Sequence, residues 1–161
     1  MIQILHEIWI TIQSEFSDIS NVRQATTVML RLITASILGG LIGYEREMRG
    51  KSAGLRTHML VALGSALFIL APQQANASPE DVSRILQGLI AGIGFLGAGA
   101  IMIGQQKENE TGLTTAATVW ITAAIGVTVG MGLETTAVLS TLLTLVILAL
   151  VPKLVNKSKN N

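Results

Sequence analysis

The longest charge-poor run of the sequence extends over residues 112–151 and contains one charged residue, Glu134. An α-helix crosses the ~30 Å hydrocarbon layer of a bilayer with about 20 residues. The run is therefore long enough for two crossings. The segment 130–134 (GMGLE) predicts the turn between them, because it combines two flexible glycines with the only charge of the run. This feature indicates an integral membrane protein.

Three further charge-poor runs precede this one. Together they predict an all-α, polytopic membrane protein whose membrane domain occupies residues 24–152 and crosses the bilayer five times. The five spans are expected at about 24–44, 57–77, 82–104, 113–131 and 133–152. The composition agrees, because 50% of the residues are hydrophobic and 13% are charged, about half the charged share of soluble domains.

Charge and cysteine content exclude other classes of protein. The chain has 161 residues and no cysteine, which rules out a disulfide scaffold and any thiolate metal site. Eleven basic and ten acidic residues give a net charge of +1, so no nucleic-acid partner is expected. The expected surroundings are the lipid bilayer.

The basic residues of the loops predict the orientation of the chain. With five spans, eight of them fall on one side: Arg46, Arg49, Lys51, Arg56, Lys107, Lys153, Lys157 and Lys159. Because cytoplasmic loops carry the excess of Lys and Arg, we expect the N-terminus outside the cell and the C-terminus in the cytoplasm. Residues 153–161 then form a basic cytoplasmic tail.

Residues 1–22 differ from the spans. Their apolar side chains recur at helical spacing, namely Leu5, Ile8, Trp9, Ile12, Phe16 and Ile19. This pattern predicts an amphipathic helix that lies in the outer membrane interface. A sixth span is the alternative, but Glu7 and Glu15 would make insertion costly.

The third span is rich in glycine. Its glycines fall on two faces of a helix and include Gly88, Gly92, Gly94, Gly97 and Gly99. Helices in lipid attract each other through close backbone approach, so two glycine faces imply neighbours on both sides. We expect this helix to be the centre of the bundle, or a bridge to a second protomer in a homo-oligomer. Ion binding by glycine carbonyls is the alternative.

Hydroxyl side chains line the fourth span, where Thr114, Thr118 and Thr122 are spaced four residues apart and Thr115 lies beside them. Gln87 adds a polar group on the third span. Such a stripe typically bonds across to another helix or back to its own carbonyls. A polar seam for water or an ion is the other interpretation.

Arg31 is the one charge well inside a span. Intramembrane charges face the bundle and find partners, although a lone arginine also snorkels. We expect an ion pair with Asp81, at the start of the third span, or with Glu134, at the last turn.

The junction of the first two spans is the most charged segment of the membrane domain. It contains Glu45, Arg46, Arg49, Arg56 and the histidine His58. Glu45 and Arg49 are four residues apart and would pair if the helix continues past the membrane. The segment is interpreted as a topology anchor or, equally, as a docking surface for another protein or anionic lipid.

Motifs for chemistry are missing from the sequence. The segment 92–97 (GIGFLG) matches a dinucleotide-binding glycine pattern, but it lies inside an apolar run with no preceding strand. His6 and His58 are the only histidines and assemble with no catalytic set. We therefore predict no catalytic residue, no cofactor, no metal site and no enzymatic activity.

Four segments resemble the signature motifs of the MgtC/SapB family over residues 25–150. They are 39–49 (GGLIGYEREMR), 53–64 (AGLRTHMLVALG), 92–101 (GIGFLGAGAI) and 112–126 (GLTTAATVWITAAIG). The resemblance implies a small bacterial inner-membrane protein of about five spans. Family members are associated with growth in low magnesium, with survival in macrophages and, in some cases, with restraint of the F-type ATP synthase.

Well-known members of that family carry a soluble C-terminal domain after the last span, whereas this sequence ends at Asn161. The sequence is thus expected to provide the membrane domain only. Its predicted function is non-enzymatic, the modulation of magnesium-linked ion homeostasis or of another membrane complex such as the F-type ATP synthase. The alternative is a magnesium or other ion transporter or channel that uses the glycine carbonyls of the third span and the threonines of the fourth.

Overall fold

The computed structural model describes residues 2–17, 19, 21–104 and 111–159 of the chain. They form six helices: α1 (Ile2–Glu15), α2 (Val22–Met48), α3 (Leu55–Gln74), α4 (Pro79–Gly104), α5 (Thr111–Gly130) and α6 (Glu134–Lys159). The five helices after α1 are each long and apolar enough to cross a membrane. The prediction of an all-α polytopic protein with five such helices after a shorter one is confirmed. Lys107 lies outside the described residues.

Contacts divide the chain into two units, residues 1–30 and residues 31–161. In the first unit, α1 exposes its apolar side chains, Trp9 among them. The helix ends at Glu15, earlier than the boundary at 22 that the sequence predicts. The side-chain oxygen of Asn21 accepts a hydrogen bond of 2.8 Å from the backbone N–H of Gln24, so α2 begins with an N-cap. The location of α1 at a membrane surface stays a prediction.

The second unit has two ends with different chemistry. We call the end at the α2–α3 turn the basic end, because its charged side chains include four cations: Arg46, Arg49, Lys51 and Arg56. We call the opposite end, with the α3–α4 and α5–α6 turns, the Arg31 end. Both α3 and α5 start at the basic end, so the two helices run in the same direction.

Helix α5 is the central helix of this unit, because it contacts α3, α4 and α6. In the most apolar stretch of α5, 50% of the residues are buried, compared with 11% in the corresponding stretch of α4. The expectation that the third span is the centre of the bundle is therefore wrong. The physical reason is that α5 meets neighbours on several faces, whereas α4 packs with one face.

The contact between α3 and α5 is made by backbone atoms. A Cβ at Gly126 would lie 2.9 Å from the Ala62 Cα, and one at Gly130 would lie 2.7 Å from the Ala66 carbonyl oxygen. Real Cβ atoms do not approach other atoms so closely. Because the helices gain attraction in lipid through such close packing, these two glycines hold α3 against α5.

Two more glycines bring α2 equally close to α3. A Cβ at Gly39 would lie 2.7 Å from the Cβ of Ala62, and one at Gly43 would lie 2.8 Å from the Cα of Leu55. Ala62 is thus contacted by α2 on one side and by Gly126 of α5 on the other. Helix α3 lies between these two helices without room for larger side chains at the contacts.

Most glycines of α4 face open space rather than another helix. A Cβ at Gly97 would lie 3.6 Å from the Cβ of Ala116 on α5. The other predicted packing positions meet nothing within 4 Å, namely Gly88, Gly92, Gly94 and Gly99. Phe95 projects from the open side with 81% of its surface exposed. The remaining alternative, a bridge from α4 to a second protomer, stays a prediction.

Arg31 of α2 contacts three other helices, α3, α5 and α6, at the Arg31 end. Its Nη1 donates hydrogen bonds to the Gly130 carbonyl (3.0 Å) and to the Gln73 Oε1 (3.4 Å). Its Nε lies 3.6 Å from the Glu134 Oε1. The Gly130 carbonyl belongs to the last turn of α5, where helix carbonyls lack intrahelical partners and the helix dipole favours a cation. Arg31 therefore caps α5 as well as pairing with Glu134.

The α5–α6 turn is shaped to receive this guanidinium. Gly132 has a φ of +82°, and the Leu133 and Gly132 amides donate to the Thr128 and Val129 carbonyls. This is a Schellman C-cap, which favours glycine at the left-handed position. A Cβ at Gly132 would also collide with the Arg31 guanidinium. The predicted turn at residues 130–134 is confirmed.

The structure does not bring Asp81, the other candidate, to Arg31. Ser78 is the N-cap of α4, and its hydroxyl accepts from the Asp81 N–H (3.2 Å) and donates to the Asp81 carboxylate (2.8 Å). Asp81 also lies 3.7 Å from Arg84 on the next turn. Asp81 is therefore engaged by Ser78 and Arg84 of its own segment, whereas Glu134 lies at the turn that Arg31 caps.

Because α3 and α5 are in backbone contact at Gly126, we expect a glycine-to-alanine substitution to affect stability differently at Gly126 and at the open position Gly92. Gly126→Ala should destabilise the protein by roughly 1–3 kcal/mol, because the added methyl group overpacks a contact with backbone atoms. Gly92→Ala should be neutral or stabilise by about 0.5–1 kcal/mol, since alanine is the better helix former where space is open. Thermal unfolding in detergent measures both. A Gly126→Ala protein as stable as Gly92→Ala would contradict the contact.

Because Arg31 both caps α5 and pairs with Glu134, a substitution of Arg31 should destabilise the protein more than a substitution of Glu134. Arg31→Gln should cost about 1–3 kcal/mol, because the Gly130 carbonyl loses its donor. Glu134→Gln leaves that hydrogen bond intact and removes a partly exposed ion pair, so it should cost no more than about 1 kcal/mol. Arg84→Gln at an exposed site is the control. Equal losses from Arg31→Gln and Glu134→Gln in the same unfolding assay would speak against the cap.

Candidate functional site

The last turn of α2 forms an ion-pair cluster at the basic end. The Glu45 carboxylate lies 2.9 Å from the Arg46 Nε and also pairs with Arg49, four residues along the helix. Arg46 is only 3% exposed, so its charge needs a partner inside the protein. Glu45 supplies that partner and is shared with Arg49, which is more exposed. The pairing between Glu45 and Arg49 that the spacing predicts is present.

The neighbouring residue Glu47 caps α3. Its carboxylate accepts a hydrogen bond of 2.7 Å from the Leu55 N–H, and a Cβ at Gly54 would touch it. An acidic group at a helix N-terminus satisfies free amides and interacts favourably with the helix dipole. As a result α3 begins at Leu55, two residues before the boundary predicted from hydropathy. The capping role of Glu47 was not predicted from the sequence; its one sequence signal is Gly54, a glycine at a position where a residue with a capping side chain is expected.

His58 lies one turn into α3 and is completely buried. Its Nδ1 is 2.9 Å from the Gly54 carbonyl oxygen. Because a carbonyl oxygen only accepts, Nδ1 must carry a proton, which leaves Nε2 of the neutral ring as an acceptor. Nε2 has no hydrogen-bond partner among the described residues. A Cβ at Gly43 would lie 3.0 Å from the His58 Cβ, so α2 presses directly on this residue.

Three threonines of α5 point into the bundle near this end. Thr115, Thr118 and Thr122 are buried, whereas Thr114 is exposed. The Thr118 hydroxyl donates to the Thr115 carbonyl at 2.8 Å. The hydroxyl of Thr122 has no hydrogen-bond partner within the described part of the chain. We call His58, Thr115, Thr118 and Thr122 the buried polar set.

The predicted site residues thus separate into two groups. Glu45, Arg46, Arg49 and His58 come together at the basic end, with Arg56 exposed on the first turn of α3. Thr114 and Gln87 were predicted to belong to a polar seam with Thr115 and Thr118, but both are exposed and lie apart from the buried polar set. Among residues 2–17, 19, 21–104 and 111–159, no three His, Cys, Asp or Glu side chains group as metal ligands would.

The electrostatic character of the basic end follows from these contacts. Both carboxylates are engaged, Glu45 by two guanidinium groups and Glu47 by the N-terminus of α3. Arg49 and Arg56 are left with exposed side chains. Since Lys51 adds a further cation, the surface carries net positive charge and offers hydrogen-bond donors. It suits an anionic partner better than a cation.

Comparison with known proteins identifies the family. The sequence profile of the MgtC family matches residues 32–157. The "Putative magnesium transporter YhiD" of Escherichia coli strain K12 is 44% identical over 127 residues, which cover 74% of this chain and 58% of that protein. Protein SrpB of Synechococcus elongatus is 45% identical over 130 residues, which cover 74% of this chain and 71% of SrpB.

Protein MgtC of Salmonella typhimurium is 47% identical over 117 residues, covering 73% of this chain and 49% of that protein. The chain therefore spans only about half the length of the MgtC proteins that it matches. No solved structure gives a significant match. The matched region contains all the motifs on which the resemblance was based, and the chain belongs to the MgtC family of bacterial membrane proteins.

Proposed function

We propose that the protein is a non-enzymatic component of magnesium-linked ion homeostasis that acts by modulating another membrane complex. The magnesium link comes from the name of the Escherichia coli relative, "Putative magnesium transporter YhiD", and from what the family resemblance implies. The mode of action is argued from the basic end. There, the Glu45 carboxylate is already paired with the buried Arg46 and with the more exposed Arg49.

The pairing of Glu45 is the observation that carries this proposal. Mg²⁺ takes oxygen ligands in octahedral geometry and gives up its water reluctantly. To use Glu45, the ion would have to displace Arg46 and Arg49 and lie within their field. An acidic segment of another protein could bind without displacing any ion pair of Glu45, because Arg49 and Arg56 present exposed hydrogen-bond donors to it.

An ion transporter or channel is the competing function. In that interpretation the glycine carbonyls of α4 and the threonines of α5 would bind the ion. Helix α4 is continuous from Pro79 to Gly104, so its interior carbonyls are used in intrahelical hydrogen bonds. The Thr118 hydroxyl is bonded to the Thr115 carbonyl of its own helix. These contacts favour modulation of a partner over conduction.

The proposal includes the orientation and the partners. The basic end faces the cytoplasm, by the positive-inside rule, and the N-terminus lies outside a bacterial inner membrane. The open face of α4 packs against a second copy of the chain, so the protein is a homo-oligomer in the bilayer. The F-type ATP synthase is the candidate complex that the family resemblance implies.

Reversing the charge of the two exposed arginines should abolish the function without removing the folded protein from the membrane. Arg49→Glu with Arg56→Glu should abolish the growth advantage that the protein gives cells in low magnesium, because the anionic partner is repelled. Arg84→Glu at the opposite end is the matched control and should retain that advantage. Protein amounts in the membrane are compared in parallel. An unchanged growth advantage in the double variant would overturn the proposed docking surface.

A flux measurement addresses the competing function. Purified protein in liposomes should give no saturable Mg²⁺ uptake above empty liposomes. Gly94→Leu and Gly64→Leu fill open space on α4 and α3, respectively. Saturable uptake that Gly94→Leu abolishes and Gly64→Leu retains would establish a transporter and refute modulation as the primary role.

The homo-oligomer is tested by cross-linking, for which a chain without cysteine is well suited. Gly92→Cys on the open face of α4 should form a covalent dimer on oxidation in native membranes. Leu143→Cys on the exposed side of α6 is the control and should stay monomeric. Dimers from Leu143→Cys alone would place the interface elsewhere.

A further inference from the structure

Three buried polar atoms of the second unit have neither a hydrogen bond nor an ion pair among the described residues. They are the His58 Nε2, the Ser65 Oγ and the Thr122 Oγ1. All three residues are at most 2% exposed. A buried polar atom without a partner is destabilising, so such atoms are rare in stable proteins and need an explanation.

Helical register places two of these residues, His58 and Thr122, at the same level of the α3–α5 contact. Gly126 packs on Ala62, and Gly130, four residues further along α5, packs on Ala66, four residues further along α3. The two parallel helices therefore keep one register over this contact. One turn closer to the basic end, the same register pairs Thr122 with His58. Ser65 lies two turns beyond His58, at the level of Val129.

The surroundings change from polar to apolar along this interface. Towards the basic end, the buried side chains of α5 after Thr122 are Val119, Thr118 and Thr115, and the buried Arg46 is at the same end. Towards the Arg31 end, Ser65 is a buried polar residue, and its buried neighbours include the apolar and nearly inaccessible Ile69, Ile125 and Val129. A polar solute therefore meets more polar side chains on the basic side of the His58–Thr122 level than on the Arg31 side.

We propose that His58 and Thr122 form a binding site for water that exchanges with the basic end and is closed towards the Arg31 end. Nε2 of His58 accepts a hydrogen bond from the water molecule, and the Thr122 hydroxyl provides the second partner. Internal waters typically bridge buried polar groups that lack protein partners. The site is independent of the proposed docking surface, because none of its groups is exposed.

Thiol accessibility tests this site directly. Thr122→Cys and Val129→Cys introduce a cysteine at two positions of α5 that are both 0% exposed and lie two turns apart. In protein reconstituted in nanodiscs, a small methanethiosulfonate reagent should modify Thr122→Cys roughly tenfold faster, because the dry position reacts only after local opening. Equal rates at the two positions would overturn the hydrated site.

The side of entry is tested in sealed vesicles. Ser52→Cys lies in the exposed α2–α3 turn and marks the basic end. An impermeant reagent should modify Thr122→Cys only from the side that also modifies Ser52→Cys. Modification of Thr122→Cys from the opposite side would contradict a site closed towards the Arg31 end.

Stability measurements keep the test valid if Thr122→Cys fails to fold. Thr122→Val replaces the hydroxyl by an isosteric methyl group and should lower the midpoint of thermal unfolding, because the water loses a partner and His58 loses its bridge. Ser65→Ala removes a hydroxyl in apolar surroundings and should leave the midpoint unchanged or raise it. Thr122→Ser retains the hydroxyl and should resemble the unsubstituted protein. A raised midpoint in Thr122→Val would mean that the hydroxyl is dry, which would refute the proposal.

Discussion

The packing of α5 against its neighbours is the interaction on which the rest of the structure depends. In a bilayer, lipid tails are as apolar as leucine, so helices associate only where their backbones approach closely. Gly126 and Gly130 allow that approach to α3, and Gly39 and Gly43 extend it from α3 to α2. Larger side chains at these positions would separate the helices and expose the groups buried between them.

Close packing determines how charged and polar groups are satisfied at the two ends. At the Arg31 end, a guanidinium caps the last turn of α5 and pairs with Glu134 across the turn. At the basic end, Arg46 is drawn into the bundle and Glu45 neutralises it, while Glu47 caps α3. Charges are thus accommodated at helix termini, where unpaired backbone groups can take part. Between these ends the interface is polar near His58, whereas near Val129 the buried side chains are apolar apart from Ser65.

Much of the fold was predictable because hydropathy and spacing are local signals. The five long helices, the 130–134 turn and the Glu45–Arg49 pair follow from residues close in sequence. The central helix was not predictable, because α4 contains more glycines than α5 and glycine content does not show which neighbour a face meets. The sequence did not show whether Arg31 pairs with Asp81 or with Glu134. In the structure Asp81 is hydrogen-bonded to the nearby Ser78 instead. The Glu47 cap was missed because it joins residues from two different helices.

The central claim, that α5 is the core helix and that α4 packs on it at Gly97, is tested most directly by disulfide formation. A Cβ at Gly97 would lie 3.6 Å from the Ala116 Cβ, within the range of a disulfide. We predict that oxidation of a Gly97→Cys/Ala116→Cys protein gives an intramolecular disulfide, whereas Gly92→Cys/Ala116→Cys gives none. An intramolecular disulfide from the Gly92→Cys pair and none from the Gly97→Cys pair would contradict the arrangement of the bundle.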